Sequence, residues 1–246
     1  MAAQRPFFVT TSWDDGTVQD LRLADLLSKY SVPATFYVAK CHPYGSLQES
    51  QIQELAQSFE LGAHTLNHVA LNSVSDALAD NEIANSKIWI EQLSGRRCQV
   101  FCFPQGNFSS RHVHMVRKAG FYGARTVELM SSTTASLVSG VAIMPTTIQA
   151  FPHKRSAYLR NILRRHSVSN LVTYLHSQGK DWTTTAASLL TLISSHGGLF
   201  HLWGHAWEID QFDLWRDLEQ VLQTLEQYKS VATFVYNSEV CAGVLG

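Results

Sequence analysis

The chain begins with a short, apolar, β-rich run: Phe7, Phe8 and Val9 within 6–12, the pattern of a strand covered on both faces. Leu23, Leu26, Leu27 and Tyr30 then recur at i, i+3, i+4 and i+7, which predicts a helix with Pro33 just past its end. A second buried strand is expected over 34–38. Ile52, Leu55, Ala56 and Phe59 repeat the helical spacing, with Ser46 and Glu49 placed as a capping box and Gly62 closing the segment. Further on, the pattern predicts helices over 81–93 and 111–119, strands over 99–103 and 121–127, and an exposed Ser/Thr-rich loop over 131–140. Helices follow over 157–165, 170–178 and 185–194, then a strand over 199–203. Leu214, Leu218, Val221, Leu222 and Leu225 mark a last amphipathic helix before a closing segment at 232–236. Alternating strands and helices point to parallel β/α units, either a barrel or an open doubly wound sheet. Both folds gather the residues that follow strands at one edge, where ligands bind.

Length and composition narrow the class without choosing a chemistry. A chain of 246 residues without an internal repeat or linker fits a single domain over 1–246. Apolar residues make up 45% and charged residues 16%, as in ordinary globular proteins. The formal net charge of -1, with no basic run standing out, argues against a nucleic-acid partner. Cys41, Cys98, Cys102 and Cys241 lack CxxC spacing and read as reduced, mostly buried thiols. The first residues carry no signal-like region, and no apolar stretch approaches the ~20 residues of a membrane span. A cytoplasmic protein without a membrane span is therefore expected.

Four segments carry candidate chemistry. Thr11-Ser12-Trp13-Asp14-Asp15-Gly16 follows the first strand; Asp-Gly is a common turn, but paired carboxylates at a strand end also suit a metal ligand beside a base. His64-Thr65-Leu66-Asn67-His68 spaces two histidines at i and i+4, so that one helical turn would converge them on a cation; a chance pair among 11 histidines competes with that reading. Two imidazoles and a carboxylate with open positions is the layout of a catalytic metal site. Cys102-Phe103-Pro104-Gln105-Gly106 and the late strand Gly198–His205 complete the set; in the latter, His201 and His205 lie on one side by strand periodicity.

Taken in this order, T-S-W-D-D-G, H-T-L-N-H, C-F-P-Q-G and L-W-G-H resemble the motifs of the polysaccharide deacetylase family with the NodB-homology domain, carbohydrate esterase family 4. Val32-Pro33-Ala34-Thr35-Phe36 and Gly120-Phe121-Tyr122 are similar to further steps of that pattern. The resemblance is clearest over 7–127. It implies a deformed (β/α) barrel of about seven parallel strands that hydrolyses an N-acyl, usually N-acetyl, group from an amino sugar. By position it implies that Asp15, His64 and His68 hold one divalent ion, zinc foremost, with cobalt, iron, manganese or nickel as alternatives. It further implies Asp14 as general base, a backbone N–H near Gln105 for the oxyanion, and His205 as the acid that protonates the leaving amine.

The chain departs from the family pattern at Cys102, where the family carries an arginine that tunes the catalytic aspartate. Arg125, at the end of the next strand segment, is the candidate to supply that charge. His201 competes with His205 for the acid role, since Leu199-Phe200-His201 also fits leucine-x-histidine. Trp203 and Trp207 could wall the acyl pocket or simply pack in the core, and 151–153 is placed to line it. The leading expectation is a deacetylase acting on a small or activated amino-sugar derivative, with no particular oligomeric state implied. A deformylase or amidohydrolase acting on another C–N bond, or a non-catalytic carbohydrate-binding relative, remains as an alternative.

Overall fold

The computed structural model describes residues 6–177 and 179–245. Strand β1 (Phe7–Asp15) is central, and the chain then alternates: α1 (Asp20–Lys29), β2 (Ala34–Val38), α2 (Glu49–Ser58), β3 (Glu60–Ala63), α3 (Asp76–Ser94), β4 (Val100–Cys102), α4 (Ser110–Lys118) and β5 (Gly123–Arg125). A hairpin, β6 (Ser136–Val138) and β7 (Val141–Met144), leads into the short β8 (Ile148–Gln149). Helices α5 (Arg155–Arg165), α6 (Val168–His176) and α7 (Trp182–His196) precede β9 (Gly198–His205). The chain ends with α8 (Ala206–Gln211), α9 (Trp215–Glu226), β10 (Thr233–Phe234) and α10 (Asn237–Ala242).

One sheet runs in the order β6-β7-β5-β4-β3-β2-β1-β9-β8, with β10 pairing the start of β1. Every pairing is parallel except β6 with β7. Only residues 145–147 separate β7 from β8, so the covalent chain itself bridges the two sides of the curled sheet. This is the expected deformed barrel, enlarged from about seven strands to ten by the hairpin and the two-residue strands β8 and β10.

The alternation of β1 explains how the barrel is filled. Residues on one face of a strand recur every second position, and Thr10, Ser12 and Asp14 are all buried polar groups. Each finds a distant partner: Thr10 Oγ1 donates to Asn237 Oδ1 (2.8 Å), Ser12 Oγ meets His201 Nε2 (2.8 Å), and Asp14 is paired with Arg125. Val9 and Trp13, on the opposite face, pack in the hydrophobic core with the helices outside the sheet. α9 shows how those helices are held: Leu218, Val221, Leu222 and Leu225 are buried at helical spacing.

Several sequence expectations change. Ser46 and Glu49 do not form the capping box of α2; Gln48 is the N-cap and Gln51 its reciprocal partner. The segment expected to close with Gly62 contains β3 instead, a strand of four residues, too short to show a period. The predicted loop over 131–140 contains β6, and α8, β8 and α10 had no expectation. Gln178, the end of one expected helix, lies outside the described residues; within them α6 ends at His176.

Phe36→Ala, at a fully buried position on β2, is expected to lower stability by about 3–5 kcal/mol in urea unfolding. Leu163→Ala, at a position 70% exposed on α5, should change it by less than about 0.5 kcal/mol.

Candidate active site

The C-terminal ends of β1, β2, β3, β4 and β9 open into a cleft of about 520 Å3 lined by Asp14, Asp15, His64, His68 and His205 among others. In a regular strand Asp14 and Asp15 would point to opposite faces. Here Asp15 adopts φ 85°, outside the extended region, and the two carboxylates reach the same cleft. Gly16 follows at φ 72°, where an added Cβ would lie 2.5 Å from Val38 Cγ1, so the turn needs glycine. Among the described residues, nine non-glycine positions have positive φ, and Asp15, Thr65, His68 and Gln105 all belong to the cleft segments. Backbone strain is therefore concentrated where the chemistry-bearing side chains are aimed.

The two histidines converge, but not along a helical turn. They occupy the irregular segment after β3, with Thr65 at φ 61° and His68 at φ 50°. Glu82 on α3 fixes this loop from outside, accepting the Leu66 and Asn67 backbone N–H groups (both 2.9 Å) and the Asn67 side-chain amide (2.6 Å). His64 Nδ1 donates to the Cys102 carbonyl oxygen at 2.8 Å; burial opposes the His64 cation, but Cys102, Asp15 and Asp14 raise its pKa, so Nε2 offers a lone pair only where a cation displaces its proton. That Nε2 lies 3.5 Å from Asp15 Oδ1, and His68 Nε2 lies 3.2 Å from the same oxygen.

Asp15 divides its two oxygens. Oδ2 accepts a hydrogen bond from Trp207 Nε1 (2.7 Å) and lies 3.3 Å from His42 Nε2. Oδ1 is buried without a hydrogen-bond partner, facing the two histidines. An orphaned anionic oxygen converging with two imidazole nitrogens is the donor set of a divalent cation. Burial opposes the Asp15 anion, but His64, His205 and His68 outweigh it and hold its carboxyl well below the usual range. Burial and the neighbouring His64 press His68 down to about 4, which leaves its ring neutral at physiological pH. A second trio, Asp14, His64 and Cys102, also lies close together. It is a poor cation site, because burial raises the Cys102 thiol and Arg125 already occupies Asp14.

Arg125 is fully buried and pairs with Asp14 Oδ1. In the parallel register of β4 and β5 it stands beside Cys102, where the motif resemblance led to the expectation of an arginine. Its guanidinium lies 4.6 Å from the Trp203 ring and 5.3 Å from that of Tyr37. Burial works against the Asp14 anion, yet Arg125, His64 and His205 together lower its pKa. Trp203 thus serves both as a cleft wall and as a lid over the buried cation.

The two histidines of β9 part company. His201 is fully buried below the cleft, with Nε2 at Ser12 and Nδ1 3.0 Å from the Pro145 carbonyl oxygen. Burial and the nearby Arg125 lower it to about 3. His205 reaches the cleft, its Nε2 4.0 Å from both Asp14 Oδ2 and Asp15 Oδ2. Its Nδ1 is held at 2.6 Å by Glu208, which also accepts from Gln149 (2.9 Å); Gln149 in turn meets His153 at 2.8 Å. Burial disfavours the His205 cation, but Glu208, Asp15 and Asp14 raise its pKa overall. Gln105 lies at the cleft on an exposed left-handed turn, φ 58°. Gly106 follows at φ 64°, where a Cβ would collide with Val127 Cγ2 at 2.1 Å.

Sequence reading missed His42, Glu82 and Glu208. His42 could have been found by applying the strand-end rule to β2 as well as β1. Glu208 stands three residues past His205 on the next helix, a spacing that brings side chains together. Glu82 had no signal, since its partners are backbone groups of a loop whose shape the sequence does not disclose.

The family model described as Polysaccharide deacetylase matches residues 3–124. The Bacillus subtilis protein YxkH, assigned to the polysaccharide deacetylases, is 27% identical over 125 residues, 49% of this chain and 44% of that protein. The match therefore spans less than half of that relative's length. The chitin deacetylase of Colletotrichum lindemuthianum superposes with a TM-score of 0.63 at 14% identity, covering 96% of this chain and 88% of that one. A family 4 acetyl xylan esterase from Clostridium thermocellum, solved with a cobalt ion, gives 0.58 at 16% identity, covering 96% and 90%. At such identities the two structures speak for the fold alone.

His201 takes up its proton near 3 in the folded chain and near 6.5 when exposed, so between these values the unfolded state binds more protons. Stability should then fall as pH drops from about 6.5 toward 3, by at most about 1.4 kcal/mol per pH unit from this group. Urea unfolding of His201→Gln between pH 4 and 7 should show a shallower dependence than the parent; an identical slope would assign the effect to other groups.

Proposed function

This chain belongs to the polysaccharide deacetylase family, and from that premise we propose that it is a metal-dependent hydrolase removing an N-acyl group, N-acetyl foremost, from an amino-sugar derivative. The observation that carries the reading is Asp15 Oδ1, buried without a hydrogen bond and faced by Nε2 of His64 and His68, beside an Asp14 paired with a buried arginine. Asp15, His64 and His68 are the residues that would hold the ion. When bound, a divalent ion there supplies Lewis acidity, polarising the acyl oxygen and making water a stronger acid.

The other roles belong to the chain. Asp14 takes the proton from water as its oxygen attacks the acyl carbon, and Arg125 keeps that carboxylate ionised and oriented. The backbone N–H near Gln105 is offered to the developing oxyanion. His205, steered by Glu208 and with its pKa raised by that carboxylate and the two aspartates, gives its proton to the amine nitrogen as the C–N bond breaks. The buried, doubly bonded His201 supports assigning the acid role to His205. Trp203 and Leu129 give the cleft an apolar wall suited to a short acyl chain.

Asp14→Asn should lower amine release from N-acetylated amino sugars by about 100- to 10,000-fold while the protein still takes up one zinc per chain by elemental analysis. His64→Ala/His68→Ala should lose the metal as well as turnover. Parent protein that folds but takes up no divalent metal would sink this mechanism. Arg125→Ala should cut turnover and alter its pH profile; an unchanged profile would remove Arg125 from the scheme.

A further inference from the structure

Helices α5 and α6 together expose six large apolar side chains. On α6, Val168, Leu171, Val172 and Leu175 recur at i, i+3, i+4 and i+7, the spacing of a core-facing stripe. All four face solvent, Val168 at 75% and Leu175 at 60% exposure. The inward side of the same helix mixes polar and apolar groups: Asn170 donates its amide to Glu128 and to the Leu129 carbonyl, Thr173 is buried beside it, and Tyr174 packs in the core. The aliphatic stripe of the helix therefore faces outward. On α5, Leu159 and Leu163 extend the patch, Leu163 at 70% exposure. Contiguous exposure of this kind marks an interaction surface.

Charge says what covers it. Between Glu128 and Asp181 the chain has no Asp or Glu, whereas Lys154, Arg155, Arg160, Arg164, Arg165 and Lys180 all fall there. The near-neutral net charge of the whole chain hides this segregation. At 100° per residue, Arg155 lies on one side of the Leu159–Leu163 ridge and Arg160 with Arg164 on the other. Among the described residues none of these arginines is paired with a carboxylate. Arg164 instead reaches Asn107 Oδ1 at 3.0 Å, next to the Gln105 turn of the cleft. Ala157 and Asn161, which line the cleft, lie on the far side of α5 from the Leu159–Leu163 ridge. An apolar ridge flanked by cations is the surface that lies in the headgroup region of an anionic bilayer. No helix among the described residues is long and apolar enough to cross a membrane, so the contact is peripheral.

We propose that α5 and α6 form a docking face for an anionic lipid surface. The occupant is a membrane rather than a second copy because two copies of this face would oppose arginine to arginine.

The test is flotation of the purified chain with vesicles of phosphatidylcholine alone and of phosphatidylcholine with phosphatidylglycerol, alongside light scattering for oligomeric state. Binding to the anionic vesicles should exceed that to neutral ones by about tenfold or more, and should weaken at high salt. L163E/V168E/L175E should abolish it, and R155Q/R160Q should reduce it, with thermal unfolding unchanged because all five positions are exposed. Absence of binding to anionic vesicles overturns the proposal. So does a dimer that the triple glutamate variant dissociates while vesicles stay bare, which would assign the face to a second copy. Neither measurement involves turnover, so failure here leaves the hydrolase reading standing, and failure of that reading would not alter vesicle binding.

Discussion

The structure depends most on one buried ion pair, Asp14 with Arg125, which joins the central strand to β5 inside the barrel. Removing two charges from water costs several kcal/mol each, and only good geometry and further contacts return it. Here the guanidinium also donates to the Thr126 carbonyl oxygen and is sandwiched between Trp203 and Tyr37. The pair in turn fixes what lies around it. Asp14 is held away from the metal-type donor set; burial keeps Cys102 a neutral thiol despite the nearby Arg125, and burial together with that cation keeps His201 uncharged. The division between the two neighbouring aspartates, one bound to an arginine and one free to meet a cation, follows from this placement.

A polar interior continues below that pair. Tyr37 accepts the Asn237 side-chain amide, Asn237 accepts from Thr10, and Thr35 bonds both Glu60 and the Asn237 backbone N–H. Each of these buried polar groups has a partner that comes from far along the sequence. The barrel is thereby specified by matched hydrogen bonds as well as by apolar packing. α10, which had no expectation from periodicity, is held at the barrel through Asn237 and Ser238.

Much of this was legible because it is local. β2 matched its expected bounds, and α1, α4 and α9 announced themselves through spacing that packing then used. Asp14, Asp15, His64 and His68 stood out by type and spacing, and the fold brings them to one cleft. The manner of convergence was not legible: left-handed backbone at Asp15, Thr65 and His68 replaces the helical turn that i, i+4 spacing suggested. β3 and β8 are shorter than any period that could reveal them. Periodicity also gives a stripe without its direction, and α6 shows the cost: its aliphatic stripe reads as a core face, yet Asn170, Thr173 and Tyr174 are the residues inside. Glu82 and Glu208 act on groups defined only by the folded chain.

The lateral placement of Arg125 beside Cys102 also limits what either position can become. An arginine introduced at Cys102 would crowd two cations around one carboxylate. Loss of Arg125 alone would strand an anion in the barrel. The two positions can exchange their chemistry only together, so this pair of strands behaves as one unit of substitution.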